Sequence, residues 1–218
     1  IHYMKIPADL SLHVTIYSEA PAGASTGTSA AVSVALIGAL DRLTPGRMTP
    51  HEVAIAAHHV EMNMLHLQCG IQDQLCSAFG GINYIEMRQF PWATVSQIQI
   101  PNSTWWELER RLALVYLGRS HDSTELHKKV IKELENEGPE SSRLEALRGT
   151  AEKSRDAVYE GNLAAFGMAA ALLLSSQLSM WLAGKPAEVR KFLAGILPIV
   201  PGLCALFSGM WWVDRHAR

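Results

Sequence analysis

Pro21-Ala-Gly-Ala-Ser-Thr-Gly-Thr-Ser-Ala-Ala31 is a loop of small residues that runs straight into an apolar stretch, and its reading decides the fold. Upstream, Leu10-Ser-Leu-His-Val-Thr-Ile-Tyr17 alternates and is β-branched, a pattern that predicts a strand. Downstream, Ala30 to Leu40 is apolar and free of proline, which predicts a helix over about 28–43. A Gly/Ser/Thr loop between a strand and a helix N-terminus suits phosphate, because unpaired N–H groups and the helix dipole both favour an anion. The hydroxyls add donors for phosphate oxygens or ligands for Mg²⁺. The loop lacks the lysine of a Walker-type P-loop. Local composition is equally compatible with a flexible loop in which Thr26, Thr28 or Ser29 caps a buried helix.

The 218 residues allow one large domain or two small ones, and 48% hydrophobic with 18% charged residues is the balance of a folded chain. A formal net charge of −2 gives no electrostatic reason to expect a nucleic-acid partner. Cys69, Cys76 and Cys204 are odd in number and lack metal spacing, which points to a reducing, cytoplasmic setting. Ile1-His-Tyr-Met-Lys5 shows no signal peptide and opens as if in mid-domain. Phe192 to Val213 holds no charge, but Pro198, Pro201 and three glycines interrupt it. A buried or poorly formed C-terminal segment is expected there rather than a membrane span.

Thr49-Pro-His-Glu52 carries a capping box with proline at the first helical position, so a helix is expected from Pro50 to about Leu67. Cys69 to Gly81 forms a further glycine-bounded element. Ile82–Glu86 and Thr94–Ile100 read as strands joined by a turn near Pro91. Trp105 to Arg111 is mixed, Leu112–Leu117 reads as a buried strand, and helices are expected near 121–137, 141–158 and 162–183. Strands with a phosphate-type loop, then a strand and helices, describe an α+β chain with two lobes.

Three groups could carry chemistry. Asp73, between Gln72 and Gln74, is either a helix cap or the carboxylate that orients an attacking hydroxyl in phosphoryl transfer. The flanking glutamines could hold a polyol by hydrogen bonds. Glu61, twelve residues upstream of Asp73, is either a solvated helix-face residue or a carboxylate that joins a loop hydroxyl in holding Mg²⁺. His51, His58, His59 and His66 lack the spacing of ligands to one metal and read as interface or surface residues. Met62, Met64, Trp105 and Trp106 read as core or interface. Asp9, Glu19 and the runs around Lys128 and Lys132 read as solvated faces.

Together, the Pro21–Ala31 loop and Gly70-Ile-Gln-Asp-Gln74 resemble the GHMP small-molecule kinases. The family's second motif, P-x-x-x-G-L-G-S-S-A-A, is matched at Pro21, Gly27, Ser29, Ala30 and Ala31. Thr28 substitutes one hydroxyl for another, and Ser25 replaces the first glycine. Gly70 to Gln74 followed by Ala78-Phe-Gly-Gly-Ile-Asn-Tyr-Ile-Glu86 is similar to the sugar-kinase branch, especially heptose 7-phosphate kinases, with fucokinase-like members close by.

The resemblance implies an α+β, two-lobed GHMP kinase fold. Its N-terminal lobe, ribosomal protein S5 domain 2-like and ATP-binding, would span 1–102 without its first strands. Its ferredoxin-like C-terminal lobe would span 103–218 and turn atypical after about 185. By the same resemblance Pro21, Gly23, Ala24, Ser25, Thr26, Gly27, Thr28 and Ser29 would bind ATP, and Ser29 with Glu61 would bind Mg²⁺. Asp73 would be the catalytic residue, with Gln72, Asp73 and Gln74 at the substrate. The family's first and third motifs are not found, so the chain reads as a truncated member, incomplete at both ends. The expected activity is transfer of phosphate from ATP to a hydroxyl of a sugar or sugar phosphate, such as the anomeric hydroxyl of a heptose 7-phosphate. A fucokinase- or galactokinase-like enzyme and an inactive kinase-fold binding module stand as alternatives. The small-molecule sugar is the expected partner, with a second copy of the chain left open.

Overall fold

The structure, a computed structural model, describes residues 3–19, 26–112 and 141–170, with positions 128, 131, 132 and 135. They fall into two compact units, divided at Gln97/Ile98, with 141–170 in the second.

The first unit is built on three helices. Helix α1 (Thr28–Asp41) is apolar on most of its circumference and sets Val34 and Ile37, one turn apart, against helix α2 (Pro50–His59). There they meet Val53, Ala56 and Ala57. Ala54, Ala56 and Ala57 are all buried, and alanines let neighbouring backbones approach closely. Burial of each Val or Ile side chain contributes about 1.5–3 kcal/mol. Between α1 and α2, buried Asp41 accepts from the Met48 N–H at 3.1 Å and the Thr44 hydroxyl at 3.4 Å, tying the turn at 43–48 to the end of α1.

Helix α2 starts where the sequence places it. Glu52 N–H donates to the Thr49 hydroxyl at 3.3 Å, and Glu52 accepts from the Thr49 N–H at 2.7 Å, with Pro50 at the first helical position. Its end differs from expectation. The last turn, Val60–Met64, is π-helical, with Leu65 N–H reaching back to the Val60 carbonyl at 3.0 Å. The helix stops before Leu67 because Leu67 N–H turns onto the Glu61 carbonyl instead.

Helix α3 (Gln72–Phe79) buries Leu75 and follows fully buried Ile71. A hairpin follows: β1 (Asn83–Gln89) and β2 (Trp92–Gln97) pair antiparallel, Ile85 opposite Val95, with an irregularity between Met87 and Gln89. Asn83, Ile85 and Met87 form the buried face of β1. Asn83 Nδ2 donates to the Gly80 carbonyl at 3.0 Å and Gln97 Nε2 to the Phe79 carbonyl at 2.8 Å, so the hairpin caps the C-terminal end of α3.

Three expectations change. Leu10–Tyr17 forms no strand among the described residues, with Val14, Ile16 and Tyr17 exposed, because alternation makes a strand only where a neighbouring edge accepts its hydrogen bonds. Second, β2 ends at Gln97 rather than Ile100. Third, His58 is buried rather than superficial, its ring edge-on to Phe90 at 5.3 Å.

In the second unit, the mixed stretch around Trp105 is helix α4 (Asn102–Arg111), held by Glu107 pairing with both Arg110 and Arg111. Trp106 lies exposed on it. Helix α5 (Ser142–Tyr159) buries Ala157 and Val158 and ends at Gly161 with φ +67°, a conformation that glycine adopts without strain. Asn162 Oδ1 then accepts from Ala165 N–H at 3.1 Å and caps the helical residues 163–170. Of the expected strand at 112–117 only Leu112 is described, and it is exposed. Most of the expected helix at 121–137, the residues from 171 on and the apolar stretch from Phe192 lie outside the described residues. No described helix is long and apolar enough to cross a membrane.

Two outcomes follow from this packing. Thr49→Ala should cost about 1 kcal/mol in urea unfolding, and Thr49→Ser should restore most of it. Burial pushes the His58 imidazole below its ordinary 6.5, against the opposing hydrogen bond to the Cys69 backbone. The folded state therefore binds this proton less readily than the unfolded chain, so its contribution is whole above pH 6.5 and lost as pH falls towards the folded value. The urea midpoint should drop between pH 7.5 and pH 5, and His58→Leu should drop less over the same interval.

Candidate functional site

The N-terminus of α1 is not capped by a hydroxyl. Its cap is Gly27, at φ +67° and ψ 22°, and none of Thr26, Thr28 or Ser29 closes the first turn. Thr26 and Thr28 instead hydrogen-bond each other through their hydroxyls at 2.9 Å. The N-cap residue thus offers the first-turn N–H groups no side-chain acceptor of its own, and such a helix start favours an anion. Ser29 is exposed at this end. Pro21, Gly23, Ala24 and Ser25 lie outside the described residues.

Asp73 is brought to this same point. It sits in the first turn of α3, and a Cβ built on Gly27 would lie 3.2 Å from its Cγ and 3.3 Å from Oδ2. Gly27 is therefore required twice over, by its left-handed backbone and by the carboxylate against its Cα. The amide end of Gln72 lies over Gly70, where a Cβ would have to displace it, and its Oε1 is buried without a hydrogen-bond partner.

Glu61 lies on the π-helical turn and is 3% exposed, not the solvated residue of the alternative reading. One carboxylate oxygen accepts from the Ser33 hydroxyl at 2.8 Å and the other from Gln74 Nε2 at 3.0 Å. Among the described residues no Lys or Arg pairs with it. A buried carboxylate without a cationic side chain, held by neutral donors, has the hard oxygen chemistry that fits Mg²⁺. π-Helical turns recur where a helix carries function.

Cys69 lies near both carboxylates and Cys76 near Asp73. Burial first, then the Glu61 charge, pushes the Cys69 thiol up to about 12. Burial and the Asp73 charge push Cys76 to about 12 as well. Both remain protonated and inert at neutral pH.

Of the residues named from sequence, Gly27 and Asp73 meet, and Glu61 joins α1 to α3. Gln74, expected at the substrate, is 1% exposed and turned inward to Glu61. Ser33 escaped the sequence reading. Its signal was available, since it is the one hydroxyl in the apolar run from Ala30 to Leu40 and lies one helical turn beyond Ser29.

Residues 2–81 match the GHMP kinases N terminal domain. The chain is similar to a mevalonate kinase of Thermococcus sibiricus, 36% identical over 66% of this chain and 40% of that protein. It is also similar to a D-glycero-alpha-D-manno-heptose 7-phosphate kinase of Campylobacter jejuni, 28% identical over 78% of this chain and 49% of that one. A solved D-glycero-D-manno-heptose 1-phosphate kinase from Bacteroides thetaiotaomicron shares the fold, with TM-score 0.53 and 23% identity over 70% of this chain and 44% of that chain. The chain thus spans less than half the length of these relatives.

Gly27→Ala should destabilise the first unit by about 1–2 kcal/mol, since it combines a left-handed backbone with crowding of Asp73. Gly38→Ala, where a Cβ meets nothing within 4 Å, should be neutral or stabilising in the same thermal melt.

Proposed function

We propose that this chain, whose residues 2–81 match the GHMP kinases N terminal domain, is a kinase of that family and transfers the terminal phosphate of ATP to a hydroxyl of a sugar or sugar phosphate. The observation that carries this reading is the Asp73 carboxylate set against Gly27 at the start of α1. A base beside an anion-binding helix end is what transfer to a hydroxyl requires.

The acceptor hydroxyl oxygen would form a bond to the γ-phosphorus as the bond to the β-phosphate oxygen breaks. ADP would leave, and the hydroxyl proton would pass to the Asp73 carboxylate. The α1 N–H groups, with Thr26, Thr28 and Ser29 and the loop from Pro21 to Ser25, would hold the phosphates. Mg²⁺ bound by Glu61 and Ser29 would supply charge neutralisation on those phosphates. Gln72, beside the base, would orient the acceptor.

The acceptor we favour is the anomeric hydroxyl of a heptose 7-phosphate, supported by the heptose phosphate kinases among the similar proteins. The mevalonate kinase likeness, at higher identity over a shorter stretch, supports mevalonate as the second acceptor to test.

ADP release by the full chain should depend on heptose 7-phosphate more than on mevalonate, galactose or fucose. Asp73→Asn should lower kcat by about 100-fold or more with little change in ATP binding. Near-wild-type turnover in Asp73→Asn would remove Asp73 as the base. No saturable binding of Mg·ATP at millimolar nucleotide would sink the kinase reading for this chain.

A further inference from the structure

We infer that Gln74 and Ser33 are positioning residues that clamp the Glu61 carboxylate between the two helices carrying the phosphate-binding end and the base. The inference rests on the kinase reading above, in which Glu61 is a Mg²⁺ ligand.

The clamp is visible in how its hydrogen bonds are distributed. Ser33 reaches one Glu61 oxygen from α1, one turn beyond Ser29, and Gln74 reaches the other from α3, next in sequence to Asp73. Successive residues of a helix point about 100° apart, so the turn that presents Asp73 towards Gly27 sends Gln74 into the interior. Both N–H groups of Gln74 are turned towards acceptors, Glu61 Oε2 at 3.0 Å and Cys69 Sγ at 3.8 Å, while its own Oε1 is buried with no hydrogen-bond partner. A buried carbonyl left unsatisfied is costly. The opposite orientation would set that oxygen against the carboxylate, two acceptors face to face. The amide therefore serves Glu61 at its own expense, which a side chain kept only for packing would not do.

Ser33 and Gln74 each give one Glu61 oxygen a neutral donor, the Cys69 thiol adds a third to the carboxylate, and lone-pair capacity is left for a cation. Partners of this kind set the direction in which a carboxylate offers its remaining lone pairs, and their loss weakens metal binding. A glutamine and a serine also leave the carboxylate's charge uncompensated, where a lysine or arginine would compete with the metal.

The test uses the full-length chain and measures the Mn²⁺ concentration that gives half-maximal binding of a fluorescent ATP analogue. Gln74→Met and Ser33→Ala should each raise that concentration about 10-fold, with analogue binding restored at saturating Mn²⁺. Ser33→Thr, which keeps the hydroxyl, should stay near wild type. Leu75→Val removes a methylene from the same buried helix without touching the carboxylate. It should lower the melting temperature and leave the Mn²⁺ requirement unchanged. Should Gln74→Met not fold, Ser33→Ala decides the question. An unaltered Mn²⁺ requirement in Ser33→Ala and in any folded Gln74→Met overturns the positioning role while the kinase reading stands. Absence of Mn²⁺-dependent binding in the wild type overturns the kinase reading first and this inference with it.

Discussion

Removing a carboxylate from water is costly unless donors or a cation compensate it, and the first unit is organised around one such group. Glu61 is buried on a π-helical turn, and its two oxygens are met from different helices, by Ser33 of α1 and Gln74 of α3. The π-helical turn belongs to this arrangement, since it lies at Glu61 itself and sends the chain back over the Glu61 carbonyl through Leu67. Around the charge, packing is apolar and close: buried alanines of α2, Val34 and Ile37 of α1, Ile71 and Leu75 beside α3. The three helices therefore meet through a hydrophobic core that contains one polar joint.

That joint has a counterpart near the helix starts. Gly27 and Asp73 bring the N-terminal ends of α1 and α3 together, and a Cβ on Gly27 would crowd the carboxylate at 3.2 Å. The arrangement sets a carboxylate beside a helix start whose own N-cap is glycine, so an anion-binding end and a base stand side by side. The hairpin supports it from behind, because Asn83 and Gln97 hold the carbonyls at the far end of α3. Positioning of Asp73 thus depends on both ends of its helix being tied.

Much of the fold was legible wherever local chemistry decides local structure. The capping box at Thr49 and Glu52, the helix from Thr28, the turn near Pro91 and the start of a helix near 162 all appear where their residues predict them. Legibility failed where the outcome depends on a distant partner. Leu10–Tyr17 has the alternation of a strand, but no edge pairs with it among the described residues. His58 carries no sign in its neighbours that Phe90, far along the chain, will cover it.

By itself the sequence pointed to the GHMP kinases, through the order and separation of the Pro21–Ala31 and Gly70–Gln74 segments, and determined the α+β character, through patterns that span single elements. It also singled out Glu61 and Asp73 as carboxylates worth following. Only the tertiary structure decided that Gly27, rather than a hydroxyl, stands at the start of α1 with Asp73 against it. It alone turned Gln74 from the expected substrate face to the interior and recruited Ser33. The reason is physical: a side chain's type sets which bonds it can make, but its partners are chosen by helix packing between residues that lie 13 to 28 positions apart in the chain.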